Sequence, residues 1–289
     1  MIDKIIIFEK IKGIIQLMRF DLSFAAGISV VVGEFVAISS FPSLNDLILG
    51  FMVGFFISTS ALILNDYFDI EADRINRPTR PLPSGIIKPT SVIVLWIITS
   101  IIGFVLAFQI SYIALLVVII FWIIGFLYNW KFKRMGLFGN LMVSFSVAIT
   151  FIFGGIIVGN PWNVMVWSFA FIAFFIDLGE EIASDALDMI GDEKINSKSI
   201  AINMGMDNAL KISSVLFGIV VFISFVPIFL GYLEWYYLIT ILIINIIIIF
   251  STFKLLKIRS IDEGRKYTRL IYLGATFALL FFVISNILT

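Results

Sequence analysis

Apolar runs of about 20 residues recur along this sequence, and that is the length a helix needs to cross the hydrocarbon core of a bilayer. We read nine of them: 17–39, 46–66, 91–109, 111–129, 138–158, 163–183, 210–230, 235–253 and 268–288. Lipid offers no partner for a backbone N–H or C=O, so each run must satisfy its own polar groups as a helix. The expected fold is an all-α integral membrane protein, nine transmembrane helices in one bundle, a single domain over residues 1–289. Composition agrees. The chain is 61% hydrophobic and 14% charged, against about 45–50% and 25% in soluble domains. That excludes a water-soluble globule, a disordered chain and a nucleic-acid binder. The first run keeps Arg19 and Asp21 at its start and lacks a small-residue cleavage site, so it reads as a retained span rather than a signal peptide.

Charge placement orients the bundle. All 20 Lys and Arg fall in the N-terminal segment, in the connections after the even-numbered runs, or at the adjoining ends of the spans. The connections after the odd-numbered runs, such as Gly159 to Trp162, carry none. The positive-inside rule then predicts a multi-pass cell-membrane protein with a cytoplasmic N-terminus and an extracytoplasmic C-terminus. Merging or dropping one run would scatter the basic residues over both faces.

Most acids share the basic face, all but Glu34, Asp46 and Glu234. They form two stripes. The first is Asn65-Asp66-Tyr67-Phe68-Asp69-Ile70-Glu71-Ala72-Asp73, at the exit of the second run. If the helix continues, Asn65, Asp69 and Asp73 fall within an arc of about 80°, with Asp66 on a neighbouring face. The second begins inside the sixth run: Asp177, Glu181, Asp185, Asp188 and Asp192 also lie within about 80° of one line. Like charges at this spacing repel, and an intramembrane carboxylate is costly unless it meets a wet cavity or a partner. Divalent cations would offset both costs. The chain has no Cys and no His, which removes thiol and imidazole chemistry and leaves all-oxygen ligands suited to Mg²⁺, Ca²⁺ or Mn²⁺. Mg²⁺ takes one or two carboxylates and fills its shell with water and phosphate. Two such half-sites, with Arg and Lys nearby, predict a diphosphate substrate whose greasy part lies in the bilayer.

Several motifs carry a resemblance. Asn65-Asp66-x-x-Asp69-x-x-x-Asp73 followed by Arg77-Pro78-x-Arg80-Pro81 resembles the first signature of the UbiA-type intramembrane prenyltransferases. Glu181-Ile182-x-x-Asp185-x-x-Asp188-x-x-Gly191-Asp192 resembles the second. Tyr128 and Asn129 with Lys133-Arg134 and Gly139-Asn140 resemble the pattern between spans four and five, and Arg19 with Gly27 the first-span Arg. Glu180 stands where the family usually has Arg, and Ser184 where Lys is often found; Lys131, Lys133, Lys194 and Lys198 are candidates to replace those cations. The resemblance implies a central cavity open to the cytoplasmic side and prenyl transfer there.

It also implies two Mg²⁺ ions held by Asn65, Asp69 and Asp73 on one side and by Asp185, Asp188 and Asp192 on the other. Asp66 is the expected proton acceptor. Arg19, Arg74, Arg77, Arg80, Tyr128, Lys131, Lys133, Arg134, Asn140 and Glu181 are the expected substrate-binding residues. Tyr67, Phe68 and Tyr128 are placed to face an allylic cation. Asp69-Ile70-Glu71-Ala72-Asp73 with Phe151 to Gly155 resembles the archaeal lipid branch, which implies geranylgeranyl diphosphate as donor and the isoprenoid glyceryl phosphate geranylgeranylglyceryl phosphate as acceptor. An aromatic acid or chlorophyllide is the alternative acceptor, and a transporter using Glu34 the rival class. The oligomeric state stays open. Gly27, Gly33, Gly50 and Gly54 read as close-packing positions, and Asn245 as an interhelical hydrogen bond.

Overall fold

The computed structural model describes residues 2–38, 40–194 and 196–288, with side chains from Phe8 onward. Ser39, at the end of the first expected span, and the side chain of Lys4 lie outside the described residues. Every regular element described is helical. In chain order these are α1 (Ile2–Leu17), α2 (Phe20–Ile38), α3 (Leu44–Phe68), α4 (Ile70–Asn76), α5 (Pro89–Ile110), α6 (Tyr112–Trp130), a 3₁₀ turn (Phe132–Met135), α7 (Leu137–Ile157), α8 (Val164–Lys194), α9 (Ile200–Met204), α10 (Met206–Ile223), α11 (Val226–Phe229), α12 (Tyr237–Leu255) and α13 (Ile261–Leu288).

Among the described residues eight helical segments are long and apolar enough to cross a bilayer. They match eight of the nine expected runs, α10 and α11 together forming one. The remaining run lies in α8, where Asp177, Glu180 and Glu181 interrupt the apolar stretch. At 31 residues α8 is about 46 Å long, well beyond the roughly 30 Å hydrocarbon core.

Local chemistry sets the helix ends. Ser43 caps α3, its hydroxyl accepting from Asp46 N–H at 3.1 Å. Ser111 caps α6 through Ala114 N–H at 3.0 Å and alone connects α5 to α6. Pro89 opens α5, where its missing N–H costs nothing. A helix not read from the sequence, α1, precedes α2. The break between them is at Arg19, which sits at φ 40°, a conformation that L side chains adopt at a cost of roughly 1–2 kcal/mol.

The helices form a ring in which each touches its neighbours: α2 on α3, α3 on α5 and α6, α6 on α7, α7 on α8, α8 on α10, α10 on α12, α12 on α13, and α13 back on α2. The ring is pinched because α2 also packs along α7. A Cβ on Gly33 would collide with the Phe151 backbone, and one on Gly154 with the Val30 carbonyl. The main chains therefore touch there. The close-packing role expected of Gly33 is borne out, as it is for Gly27 and Gly54, whose Cβ positions abut Phe51 and the Ala26 carbonyl. Buried Val32, Phe35, Phe151, Ile152 and Val166 fill the core around the α2–α7 seam. Asn245 of α12 donates to Ser224 Oγ at 3.0 Å, the interhelical bond expected of it.

Candidate active site

The first stripe survives a helix break. Asp69 ends α3 and starts α4, yet the four-residue ladder runs through it. Asp69 N–H donates to the Asn65 carbonyl at 3.0 Å, and Asp73 N–H to the Asp69 carbonyl at 2.8 Å. Asn65, Asp69 and Asp73 thus keep one face, as the helical spacing predicts. The second stripe needs no such device, since α8 is continuous.

Asn76, at the end of α4, joins the two. Its Nδ2 donates to the Asp188 carbonyl at 3.0 Å, and its Oδ1 accepts from Gly191 N–H at 3.1 Å. A side chain on Gly191 would occupy the space of the Asn76 amide, so Gly191 is what lets α4 reach α8.

Both stripes line one cavity of about 1080 Å³, at the upper end of small-molecule sites. Cations thread between the acids. Arg19 and Arg80 both engage Asp66, and Arg80 also pairs with Asp73. Lys133 pairs with Asp69. Arg77 reaches Asp188 at 2.8 Å, and Arg265 of α13 reaches its other oxygen at 2.6 Å. With its amide oriented to satisfy both ends, Asn65 donates to Asp69 Oδ2 at 3.0 Å and accepts from Lys133 Nζ at 2.8 Å.

Burial pushes the Asp73 carboxyl above its ordinary range, against the pull of Arg80. Burial, together with the neighbouring Arg19 and Arg77 charges, draws Arg80 down. For Lys133 burial acts downward, but Asp69 outweighs it and the net direction is up. Crowded guanidinium groups facing a cavity are the electrostatic counterpart of an anionic ligand.

Of the expected site residues, Arg19, Asn65, Asp66, Asp69, Asp73, Arg77, Arg80, Tyr128, Lys133, Glu181, Asp185, Asp188 and Asp192 all line this cavity. Asn140 stands behind it, donating to Asp185 Oδ2 at 2.9 Å, and so orients a carboxylate rather than facing a ligand. Arg74, Lys131 and Arg134 are not among the residues brought to the wall, nor are Lys194 and Lys198. Tyr67 and Phe68 are also turned away: Tyr67 packs with Leu17, Ile63 and Leu82, and Phe68 sits edge-on to Phe126. Of the three aromatics expected to face the cation, Tyr128 alone reaches the wall, where Trp96, Trp122 and Phe126 are among the other aromatic rings lining the cavity, the two indoles stacked at 5.3 Å. Glu34 is fully buried, lies off the cavity wall, and both its oxygens lack a hydrogen-bond partner among the described residues.

Sequence reasoning missed Asn76, Arg265 and the indole pair. No local signal marks Arg265, which lies outside both acidic motifs and three residues before the expected ninth span.

The donor set fits a hard divalent cation: carboxylate and amide oxygens from both stripes border the same space. Among the described residues no three acids converge into a ready-made cage. That suits Mg²⁺, which needs few protein ligands when a phosphate supplies the rest.

Residues 26–285 match the UbiA prenyltransferase family. A digeranylgeranylglyceryl phosphate synthase of Pyrococcus furiosus is 32% identical over 97% of this chain and 99% of its own length. A solved structure of digeranylgeranylglyceryl phosphate synthase superposes with a TM-score of 0.70 at 31% identity, covering 97% of this chain and 100% of that one. A UbiA homologue from Archaeoglobus fulgidus bound to DMAPP and Mg²⁺ has the same fold, with a TM-score of 0.68 at 19% identity over 92% of this chain and 98% of its own. The chain belongs to the UbiA prenyltransferase family.

Proposed function

We propose that this chain transfers a geranylgeranyl group from geranylgeranyl diphosphate to geranylgeranylglyceryl phosphate, making digeranylgeranylglyceryl phosphate for ether lipids. It does so as a nine-span protein, α8 counted as the ninth, with its cavity open to the cytoplasm, N-terminus inside and C-terminus outside. The observation that carries this reading is one cavity bordered by two acidic stripes with Arg19, Arg77, Arg80, Lys133 and Arg265 interleaved among them, while most of its remaining wall is apolar. A charged headgroup site continuous with apolar walls suits a prenyl diphosphate. The acceptor rests on the relatives, whose name is that of the glyceryl phosphate lipid synthase.

Asn65, Asp69 and Asp73 hold one metal half-site and Asp185, Asp188 and Asp192 the other. Two Mg²⁺ ions bound there would supply Lewis-acid neutralisation of the departing diphosphate. Arg77, Arg80 and Lys133 bind the remaining phosphate oxygens, releasing Asp188, Asp73 and Asp69 respectively for the metal. Asp66 keeps Arg19 and Arg80 aimed inward. Asn140 fixes the Asp185 carboxylate. Trp122, Phe126 and Tyr128 present aromatic faces, each worth roughly 0.5–2 kcal/mol to a cation at the reacting carbon.

The test is incubation of protein reconstituted in lipid with labelled geranylgeranyl diphosphate, Mg²⁺ and each candidate acceptor. Product is expected with geranylgeranylglyceryl phosphate. Product only with an aromatic acid or chlorophyllide would overturn the acceptor assignment.

A further inference from the structure

The α2–α7 seam stands between two apolar walls of the same cavity. On one side lie Val53, Ile57, Val118 and Phe153 of α3, α6 and α7. On the other lie Ile176, Ile244 and Leu279 of α8, α12 and α13. Both walls and both acidic stripes border this one cavity. A reaction that joins two prenylated molecules needs two apolar berths and one shared polar centre.

The second wall has its own carboxylate. Phe169, Ile176, Glu180 and Leu187 lie within about 40° of one line on α8. That line faces α13 at both ends: Leu187 meets Gly264, and the Phe169 and Phe282 rings are 5.4 Å apart. The two helices therefore run antiparallel with equal spacing between these contacts. Glu180 falls between them, level with Tyr272. It lines the cavity, and its Oε1 is shielded from solvent with no hydrogen-bond partner among the described residues. Oε1 is thus packed away from the open cavity, and Oε2 is the oxygen left to meet a ligand. A carboxylate set in an apolar wall is costly without a partner, and a ligand hydroxyl would relieve that cost. Asp66, by contrast, is engaged by two guanidinium groups.

We propose that the acceptor's prenyl chain lies against the α8–α12–α13 wall, the donor's against the α3–α6–α7 wall, and that Glu180 receives the acceptor hydroxyl and takes its proton. In the step, the C1–O bond of the allylic diphosphate breaks and its electron pair leaves with the diphosphate. A lone pair of the acceptor oxygen forms the new C–O bond at C1, and the hydroxyl proton passes to Glu180 Oε2. This rests on the function proposed above.

The experiment uses full-length protein in lipid with geranylgeranyl diphosphate, geranylgeranylglyceryl phosphate and Mg²⁺. It follows two products separately: the ether lipid, and the prenyl alcohol formed when water captures the donor. Glu180→Gln is expected to lose about 100-fold in ether formation, the scale of a lost general base, while donor cleavage to alcohol continues, so the product ratio shifts toward alcohol. Ala275→Trp, which fills the α13 wall, is expected to raise KM for the acceptor several-fold and leave KM for the donor unchanged. Ether formation by Glu180→Gln at the wild-type rate would overturn the proposal, as would loss of both products together or a rise in donor KM in Ala275→Trp. Wild-type protein that yields neither product would overturn the functional reading instead.

Discussion

Replacing Asn76 by Ala should uncouple the two acidic stripes without touching an acid. Asn76 makes two hydrogen bonds to α8, at 3.0 and 3.1 Å. Each is worth about 0.5–1.5 kcal/mol net, so Asn76→Ala should cost ~1–3 kcal/mol of docking between α4 and α8. At about 1.4 kcal/mol per tenfold, a loss expressed in the transition state slows transfer by about 5- to 150-fold. Gly191→Ala approaches the same contact from the other side. Inside a helix Gly→Ala gains about 0.8–1.0 kcal/mol, but here the new Cβ enters the space of the Asn76 amide, so the single change should destabilise. In the Asn76→Ala background that amide is absent, and Gly191→Ala should become neutral or stabilising. The sign reversal is the coupling that a double-mutant cycle detects. Initial rates in lipid nanodiscs and thermal unfolding followed by Trp fluorescence would measure it. Gly191→Ala acting with the same sign in both backgrounds, or Asn76→Ala turning over like wild type, would refute the clamp.

Other outcomes follow from the same geometry. Asp69→Asn and Asp188→Asn should each reduce transfer at least 100-fold, because each removes an oxygen donor and strands the Lys or Arg paired with it; residual activity near wild type in either would detach that stripe from the chemistry. Chelation should abolish transfer and added Mg²⁺ restore it, with turnover in excess chelator as the contrary result. Arg265→Ala should raise KM for the diphosphate more than it lowers kcat, a pattern steady-state kinetics resolves. Glu34→Met should stabilise the fold by about 1–3 kcal/mol, since both carboxylate oxygens are buried without a partner among the described residues, and should leave transfer unchanged. A detergent melt that falls would mean that Glu34 has a stabilising partner in the membrane.

Helical periodicity and bilayer thickness made most of this molecule readable in one dimension. Most apolar runs became helices with ends displaced by only a few residues, although α8 runs on to Lys194 and α13 begins at Ile261, well outside their expected spans; both acidic stripes kept the faces that 100° per residue assigns them. Asp69 shows the limit of that reading: its stripe holds only because the hydrogen-bond ladder continues through a break between α3 and α4. What stayed hidden depends on distant packing. Arg265 reaches Asp188 because Gly264 lets α13 lie on α8, and nothing near residue 265 says so. Trp96 and Trp122 look like lipid-facing aromatics until α5 and α6 pair around a one-residue turn. The break at Arg19 has no Gly or Pro to announce it; the left-handed residue is held by the ion pair with Asp66.

The contact at Gly33 and Gly154 is made by main chain, and no residue is smaller than glycine. Every substitution at those positions can only wedge the two helices apart. Natural variation therefore has one direction open to it at this partition, and a lineage that needed different tail lengths would have to carve them from the flanking side chains, leaving the post between the two berths where it is.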